Sequence, residues 1–168
     1  VPQLISCTGA LPAQLFFLFQ RSRQLQQLRQ SDLFSPVRVS DFLLEKDRLF
    51  ARVTLDDEEY DLYEQVYERL AIDAPKPDLV VYLQAPVDVL MDRIARRGIR
   101  YEQAMERAYL ERLVDAYTRF FHQYVDSPLL IVNAADVDFL SNEQHFSQLE
   151  AEVKQPRRGR HYFNPFRG

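Results

Sequence analysis

Residues 77–102, PDLVVYLQAPVDVLMDRIARRGIRYE, carry the clearest structural pattern in this sequence. This stretch opens with a short apolar run at residues 79–83, whose β-branched side chains predict a strand buried on both faces. Pro86 suits the first turn of a helix, where no amide donor is needed. Apolar residues then recur at helical spacing until Gly98, which ends the helix. A strand followed by a helix that packs back on it is a unit of an α/β fold with a parallel sheet.

Arginines crowd the end of this predicted helix: Arg93, Arg96 and Arg97, with Arg100 shortly after. The first three lie three and four positions apart and therefore share one face. One interpretation is that they are solvated cations, which the helix dipole favours at a C-terminus. The other is that they handle phosphate, and residues elsewhere in the chain favour this second interpretation.

Composition narrows the class of protein. The chain has 168 residues, 46% of them hydrophobic and 27% charged, which is typical of a globular domain with a real core. Its net charge of −4 argues against a general nucleic-acid or membrane surface. Cys7 is the only cysteine, and the three histidines lack metal-ligand spacing, so we expect no disulfide framework and no metal held by the protein alone. With no signal peptide or long apolar segment, the cytoplasm is the expected compartment.

A helix predicted over residues 13–30 turns two polar side chains inward. At 100° per residue, Gln14 and Arg21 fall on the same stripe as Leu25 and Leu28. A buried arginine is costly unless it is paired. The sequence leaves two explanations open, a structural ion pair and a ligand pocket.

Further elements follow from the patterns. The predicted elements are a strand at 36–40 that ends at Asp41, helices at 56–71, 106–125 and 142–153, a strand at 129–132 and a loosely ordered basic tail. An acid just after a parallel strand lies at the sheet edge where α/β folds bind ligands, although a helix cap is the more common role. The tyrosine-rich face of helix 56–71 predicts packing, either within the domain or across a dimer.

Several segments together resemble a known family. They are LPAQLFFLFQR, VSDFLLEKDRLFA, PDLVVYLQAP and RIARRGIRYE, followed by the tail RGRHYFNP. The combination resembles the deoxyribonucleoside kinases, and specifically their bacterial branch. On this basis the chain divides into an unmatched segment at 1–10, a deoxynucleoside kinase-like domain at 11–154 and a basic aromatic tail at 155–168.

The resemblance implies an α/β fold of the P-loop kinase type, with a five-stranded parallel sheet flanked by helices. It implies transfer of the γ-phosphoryl group of ATP, with Mg²⁺, to the 5′-hydroxyl of a deoxynucleoside in nucleotide salvage. It also implies a cytoplasmic homodimer with no nucleic-acid or membrane partner.

The resemblance assigns roles residue by residue. Those expected to bind the deoxynucleoside are Gln14, Arg21, Asp47 and Glu102, with Asp47 as the charge partner of Arg21. Those expected to act in catalysis are Asp41, Arg93 and Arg97, the arginines by neutralising the transferred phosphoryl group. Those expected to hold ATP are Arg97, Asp138 and Phe139, and no metal ligand is assigned.

The chain departs from the family pattern in three places. Phe42 and Leu43 follow Asp41 where the family has Arg and Ser, and Ile99 stands at a lid position that is often Arg. The 168 residues contain no G-x-x-x-x-G-K-[ST] phosphate loop, whose amides and lysine cradle the phosphates, and the family's general-base glutamate also falls in that missing part. We therefore expect an N-terminally truncated chain that lacks the P-loop strand and is inactive alone, while its parent is the kinase.

Two alternatives stay open at this point. A thymidylate-kinase-like nucleoside monophosphate kinase would need a second phosphate site on the acceptor, for which only Arg21 is available. A non-catalytic remnant that binds nucleosides or dimerises would need no phosphate loop.

Overall fold

A computed structural model describes residues 9–29, 37–71, 75–100, 105–137, 139, 142–155 and 157–165. Contacts divide the chain into two compact units, Val1–Pro75 and Lys76–Gly168. We call them the helical unit and the sheet unit and describe each by itself.

The helical unit consists of α1 (Ala10–Arg29), α2 (Glu45–Thr54) and α3 (Asp57–Ala71). Its core is built around Leu18, Ala51 and Tyr63, which are fully buried. Tyr63 stacks between Tyr60 and Tyr67, with ring centroids 6.3 and 6.2 Å apart. The aromatic face predicted for α3 therefore packs within this unit.

Two expectations for the helical unit are wrong. The run at residues 15–19 is apolar on every face of the helix, a pattern that predicts deep burial, yet Phe16, Phe17 and Phe19 are exposed and only Leu18 of this run is fully buried. Residues 37–40 form no strand, and Val37 and Val39 are exposed. An extended segment becomes a strand only when a neighbour satisfies its amides and carbonyls, and no described strand pairs with it.

The sheet unit contains three parallel strands in the order β1 (Val80–Gln84), β2 (Leu129–Asn133) and β3 (Arg160–Phe163). Its helices are α4 (Val87–Arg97), α5 (Arg107–Gln123) and α6 (Glu143–Val153). Phe121 of α5 stacks on Tyr82 of β1, with ring centroids 4.3 Å apart. A parallel sheet flanked by helices confirms the predicted fold class.

The strand and the helix predicted within residues 77–102 are both present, with one difference in burial. Pro86 precedes α4, and Gly98 ends it at φ 69°, a left-handed conformation that glycine adopts without steric cost. However, β1 is not buried on both faces, because Val81 and Leu83 are 38% and 50% exposed. The strand with consistently buried side chains is β2, which lies between the other two.

The C-terminal tail is more ordered than its composition suggested. Arg160 to Phe163 form β3, which pairs in register with β2 from Leu129. Just before β3, the carbonyl of Gly159 accepts a hydrogen bond of 2.9 Å from the amide of Leu129. The expectation of a loosely ordered tail is wrong for these residues, because backbone pairing orders a segment whatever its charge.

Candidate functional site

The helical unit places a buried carboxylate against an arginine. Nη1 of Arg21 in α1 donates to Oδ1 of Asp47 in α2 over 2.5 Å, and the Arg21 guanidinium also lies over the ring of Phe17. The side chain of Asp47 is 3% exposed and that of Arg21 is 30% exposed. The charge pairing expected from the resemblance is therefore present, across 26 positions of sequence.

Half of this carboxylate is left without a partner. Oδ2 of Asp47 is buried and has no hydrogen-bond partner among the described residues. Burial raises the pKa of Asp47, and attraction to Arg21 offsets only part of that rise. Because a buried acceptor without a donor is costly, this oxygen indicates a place where a ligand or water donates.

Two neighbours of Asp47 were not identified from the sequence. Tyr63 is fully buried, its hydroxyl has no partner within the described part of the chain, and burial and the Asp47 charge raise its pKa. The pKa of Lys46 is lowered by burial and by the charge of Arg21. The spacing of Tyr63 with Tyr60 and Tyr67 indicated packing alone, so no sequence signal separated its hydroxyl from the other two.

Gln14 and Asp41 differ in their surroundings. Gln14 is half-buried on α1, seven positions before Arg21 and thus on nearly the same face. Asp41 is exposed ahead of α2, and its charge reaches Lys46. The structure thus places Gln14 and Arg21 on one face of α1, while Asp41 lies outside the Arg21–Asp47 contact.

In the sheet unit, Arg93 contacts backbone. Its Nη2 donates to the carbonyl of Ala134 over 2.5 Å and to the carbonyl of Val137 over 3.0 Å. Both carbonyls belong to the loop between β2 and α6. Arg93 therefore joins helix α4 to this loop.

The remaining predicted residues are only partly described. Arg97 is exposed at the last position of α4, and Phe139 is half-buried in the β2–α6 loop. Glu102 and Asp138 lie outside the described residues.

A cavity of about 190 Å³ opens beside the same loop. Its lining residues are Asn133, Asp136, Val137, His145, Asn164 and Pro165. Nδ1 of His145 is buried and lacks a partner among the described residues. This cavity could not be predicted from the sequence, because β3 brings Asn164 near the end of β2 only once the tail is paired.

The described side chains limit the chemistry available. Within the described ranges, no group of three or more His, Cys, Asp or Glu side chains could hold a metal ion. Among the helices whose residues are described, none has the length and hydropathy needed to cross a membrane. What the units offer is a half-satisfied carboxylate with an arginine, and an arginine-held loop beside a cavity.

Comparisons with known proteins agree on one family. The family model described as "Deoxynucleoside kinase" matches residues 9–156. The chain is 32% identical over 150 residues to a deoxyguanosine kinase of Bacillus subtilis (strain 168), covering 84% of this chain and 71% of that protein. It is 28% identical over 129 residues to a deoxyadenosine kinase of Lactobacillus acidophilus, covering 68% of this chain and 60% of that protein.

A solved structure is similar in fold. It is described as a deoxyadenosine kinase from M. mycoides with bound dATP. The TM-score is 0.73 at 24% sequence identity, and the match covers 88% of this chain and 75% of that one.

Proposed function

The chain belongs to the deoxynucleoside kinase family, and from this premise we propose that its helical unit binds the base of a deoxynucleoside while its sheet unit binds ATP. The reaction is transfer of the ATP γ-phosphoryl group to the 5′-hydroxyl. The observation that carries the proposal is the buried Asp47 carboxylate, which Arg21 satisfies on one oxygen only.

The polar groups around Asp47 select among bases. A carboxylate oxygen accepts a hydrogen bond, and adenine, cytosine and guanine each carry an amino group that can donate one. Thymine has no amino group, and its single edge donor, N3–H, lies between two carbonyl oxygens that a carboxylate repels. Gln14, on the Arg21 face of α1, has both a donor and an acceptor for a second contact with the base edge. The names of the relatives, deoxyguanosine and deoxyadenosine kinases, support a purine deoxynucleoside.

The other assignments form the second part of the proposal. Glu102 holds the sugar 3′-hydroxyl, and Arg97 neutralises charge on the phosphoryl group. Asp138 and Phe139 contact the base of ATP. ATP would arrive with Mg²⁺, which proteins usually hold through one or two carboxylates and the substrate phosphates. Asp41, an exposed carboxylate, fits this sparse requirement.

A homodimer in the cytoplasm completes the proposal. Phe16, Phe17 and Phe19 expose aromatic surface on α1, which supports burial against a second copy of the chain. A solution mass of two chains by light scattering would support it, and a monomer at high concentration would refute it.

The test is binding of the four deoxynucleosides, measured by calorimetry. We expect deoxyadenosine, deoxyguanosine or deoxycytidine to bind more tightly than thymidine. Gln14→Ala should weaken binding about ten-fold, since an unpaired buried partner costs about 1–3 kcal/mol. Gln24→Ala, an exposed glutamine in the same helix, is the matched control and should change nothing.

Other results would reject parts of the proposal. Tightest binding of thymidine, or equal effects of the two glutamine variants, would refute the base pocket. Incubation with ATP, Mg²⁺ and each deoxynucleoside is then assayed for the 5′-monophosphate, which we expect only when the phosphate loop absent from these 168 residues is supplied. Selective phosphorylation of a nucleoside monophosphate instead would favour the thymidylate-kinase-like alternative.

A further inference from the structure

Arg93 brackets the loop between β2 and α6. A single nitrogen, Nη2, donates to the carbonyls of Ala134 and Val137, at 2.5 and 3.0 Å. An Nη group carries two hydrogens, so each carbonyl can take one. Its donors therefore hold the two ends of a three-residue step of the loop together.

The near end of the loop has other support. The amide of Ala134 donates to the carbonyl of Gln84 over 2.7 Å, which continues the pairing of β1 with β2. The amide of Ala135 donates to Oδ1 of Asn133 over 3.1 Å. At the far end, the side-chain bond described for the Val137 carbonyl is the one from Arg93. Removing the guanidinium should therefore release Val137 more than Ala134.

The bracketed loop shapes the cavity. Asp136 and Val137 form part of its wall, together with Asn133, His145 and Asn164. Among the described residues, this lining contains a carboxylate and amides but neither lysine nor arginine, so this part of the wall disfavours phosphate. A neutral ring with donors and acceptors at its edge suits it, because the side-chain amides of Asn133 and Asn164 in this lining can both donate and accept hydrogen bonds.

We propose that Arg93 is a positioning residue, which fixes the β2–α6 loop and so sets the cavity that receives the base of the phosphoryl donor. The inference rests on the proposed function, which assigns this loop to ATP. It differs from the role expected from the sequence, in which Arg93 neutralises the transferred phosphoryl group. The two roles predict different losses when the guanidinium is removed.

The first experiment needs no ligand. Hydrogen exchange is compared between the wild type, Arg93→Met and Arg96→Met, the last being an exposed arginine of the same helix. Arg93→Met should speed exchange at the amides of residues 135–137 about ten-fold or more, since bonds to charged donors are the stronger ones. Arg96→Met should leave them unchanged. Equal exchange in all three proteins would overturn the bracket.

The second experiment tests whether Arg93 affects binding of the base of ATP or binding of its phosphates. Affinities for ATP and for inorganic tripolyphosphate are measured with the acceptor site saturated by the deoxynucleoside that binds tightest. A positioning role predicts that Arg93→Met weakens ATP about ten-fold and leaves tripolyphosphate unchanged. An equal loss for both ligands would show that Arg93 binds phosphate and would overturn the proposal.

Two further outcomes are informative. A wild type that binds ATP no better than tripolyphosphate would overturn the assignment of the cavity to a base, whereas the deoxynucleoside titrations test the proposed function separately. If Arg93→Met unfolds the chain, Arg93→Gln keeps one amide donor and should give the same pattern in weaker form. An unaltered ATP-to-tripolyphosphate ratio in Arg93→Gln would then count against the proposal.

Discussion

The two units hold their arginines in different ways. In the helical unit, Arg21 donates a hydrogen bond to a side chain, the carboxylate of Asp47. In the sheet unit, Arg93 donates hydrogen bonds to the backbone, at the carbonyls of Ala134 and Val137. A carboxylate can be removed by mutation, leaving the arginine without its partner, whereas a carbonyl remains under any substitution. The first contact can therefore be altered by substitution at either residue, whereas the second depends on the side chain of Arg93 alone.

Breaking the side-chain contact should have the largest effect. Asp47→Ala leaves Arg21 uncompensated, and we expect a loss of about 2–3 kcal/mol in the free energy of unfolding. This is below the usual 3–5 kcal/mol for a buried pair because Arg21 is 30% exposed. Urea unfolding followed by exchange of the helical-unit amides measures it. Binding of deoxynucleosides should be lost at the same time, and retained binding would mean that Asp47 serves stability alone.

Replacing both Arg21 and Asp47 separates their contribution to stability from their contribution to deoxynucleoside binding. In a double-mutant cycle of Arg21→Met and Asp47→Leu, we expect a coupling energy of about 1.5 kcal/mol. The double variant should therefore lose less unfolding free energy than the sum of the losses of the two single variants. Apolar residues of similar size can replace a buried pair without loss of stability. Recognition should not return with stability, and a double variant that binds deoxynucleosides normally would contradict the proposed pocket.

A second contact of side chain with backbone offers a smaller test in the sheet unit. Oδ1 of Asn142 accepts from the amides of Gln144 and His145 and caps α6. Asn142→Ala should cost about 1 kcal/mol of unfolding free energy. Gln144→Ala, an exposed change in the same turn, should cost much less. Equal losses would mean that the cap contributes nothing.

The smallest expected effect is a pH dependence confined to the helical unit. Burial raises the pKa of Asp47 above its ordinary value of 3.8, so the folded chain holds that proton more tightly than the unfolded chain. Stability contributed by this group is therefore present at low pH and is lost as pH rises through the window between 3.8 and the folded pKa. The stability of the wild type minus that of Asp47→Asn should fall across this window. A difference that rises with pH would reverse the sign and show that the Arg21 attraction outweighs burial.

Prediction from sequence succeeded where a short pattern fixes the structure. Three local signals predicted structure correctly: a strand from the apolar run at 79–83, a helix start at Pro86, and a helix end at Gly98. The polar stripe of α1 together with the family resemblance identified the Arg21–Asp47 contact, which helical spacing alone left undetermined. The roles of Gln14, Asp41, Arg97 and the other site residues stay predictions.

Prediction failed where structure depends on a partner distant in sequence. Residues 37–40 have strand-like side chains but no described neighbour to pair with, whereas the basic tail has unfavourable composition yet finds the open side of β2. The contacts of Arg93 could not be predicted from the sequence either, because every residue has a backbone carbonyl. The cavity beside them requires β2, α6 and the tail at once.

The all-parallel sheet also has a consequence for the speed of folding. Val80 and its partner Leu129 are 49 positions apart in sequence, and Leu129 and its partner Arg160 are 31 positions apart. Neither pairing can start from a hairpin, so each must close a long loop before any ladder bond forms. The closure entropy favours the shorter loop by only about 0.4 kcal/mol. We expect the sheet unit to refold more slowly than the three sequential helices of the helical unit. Both slow steps, the pairing of β1 with β2 and of β2 with β3, require β2 to be in place.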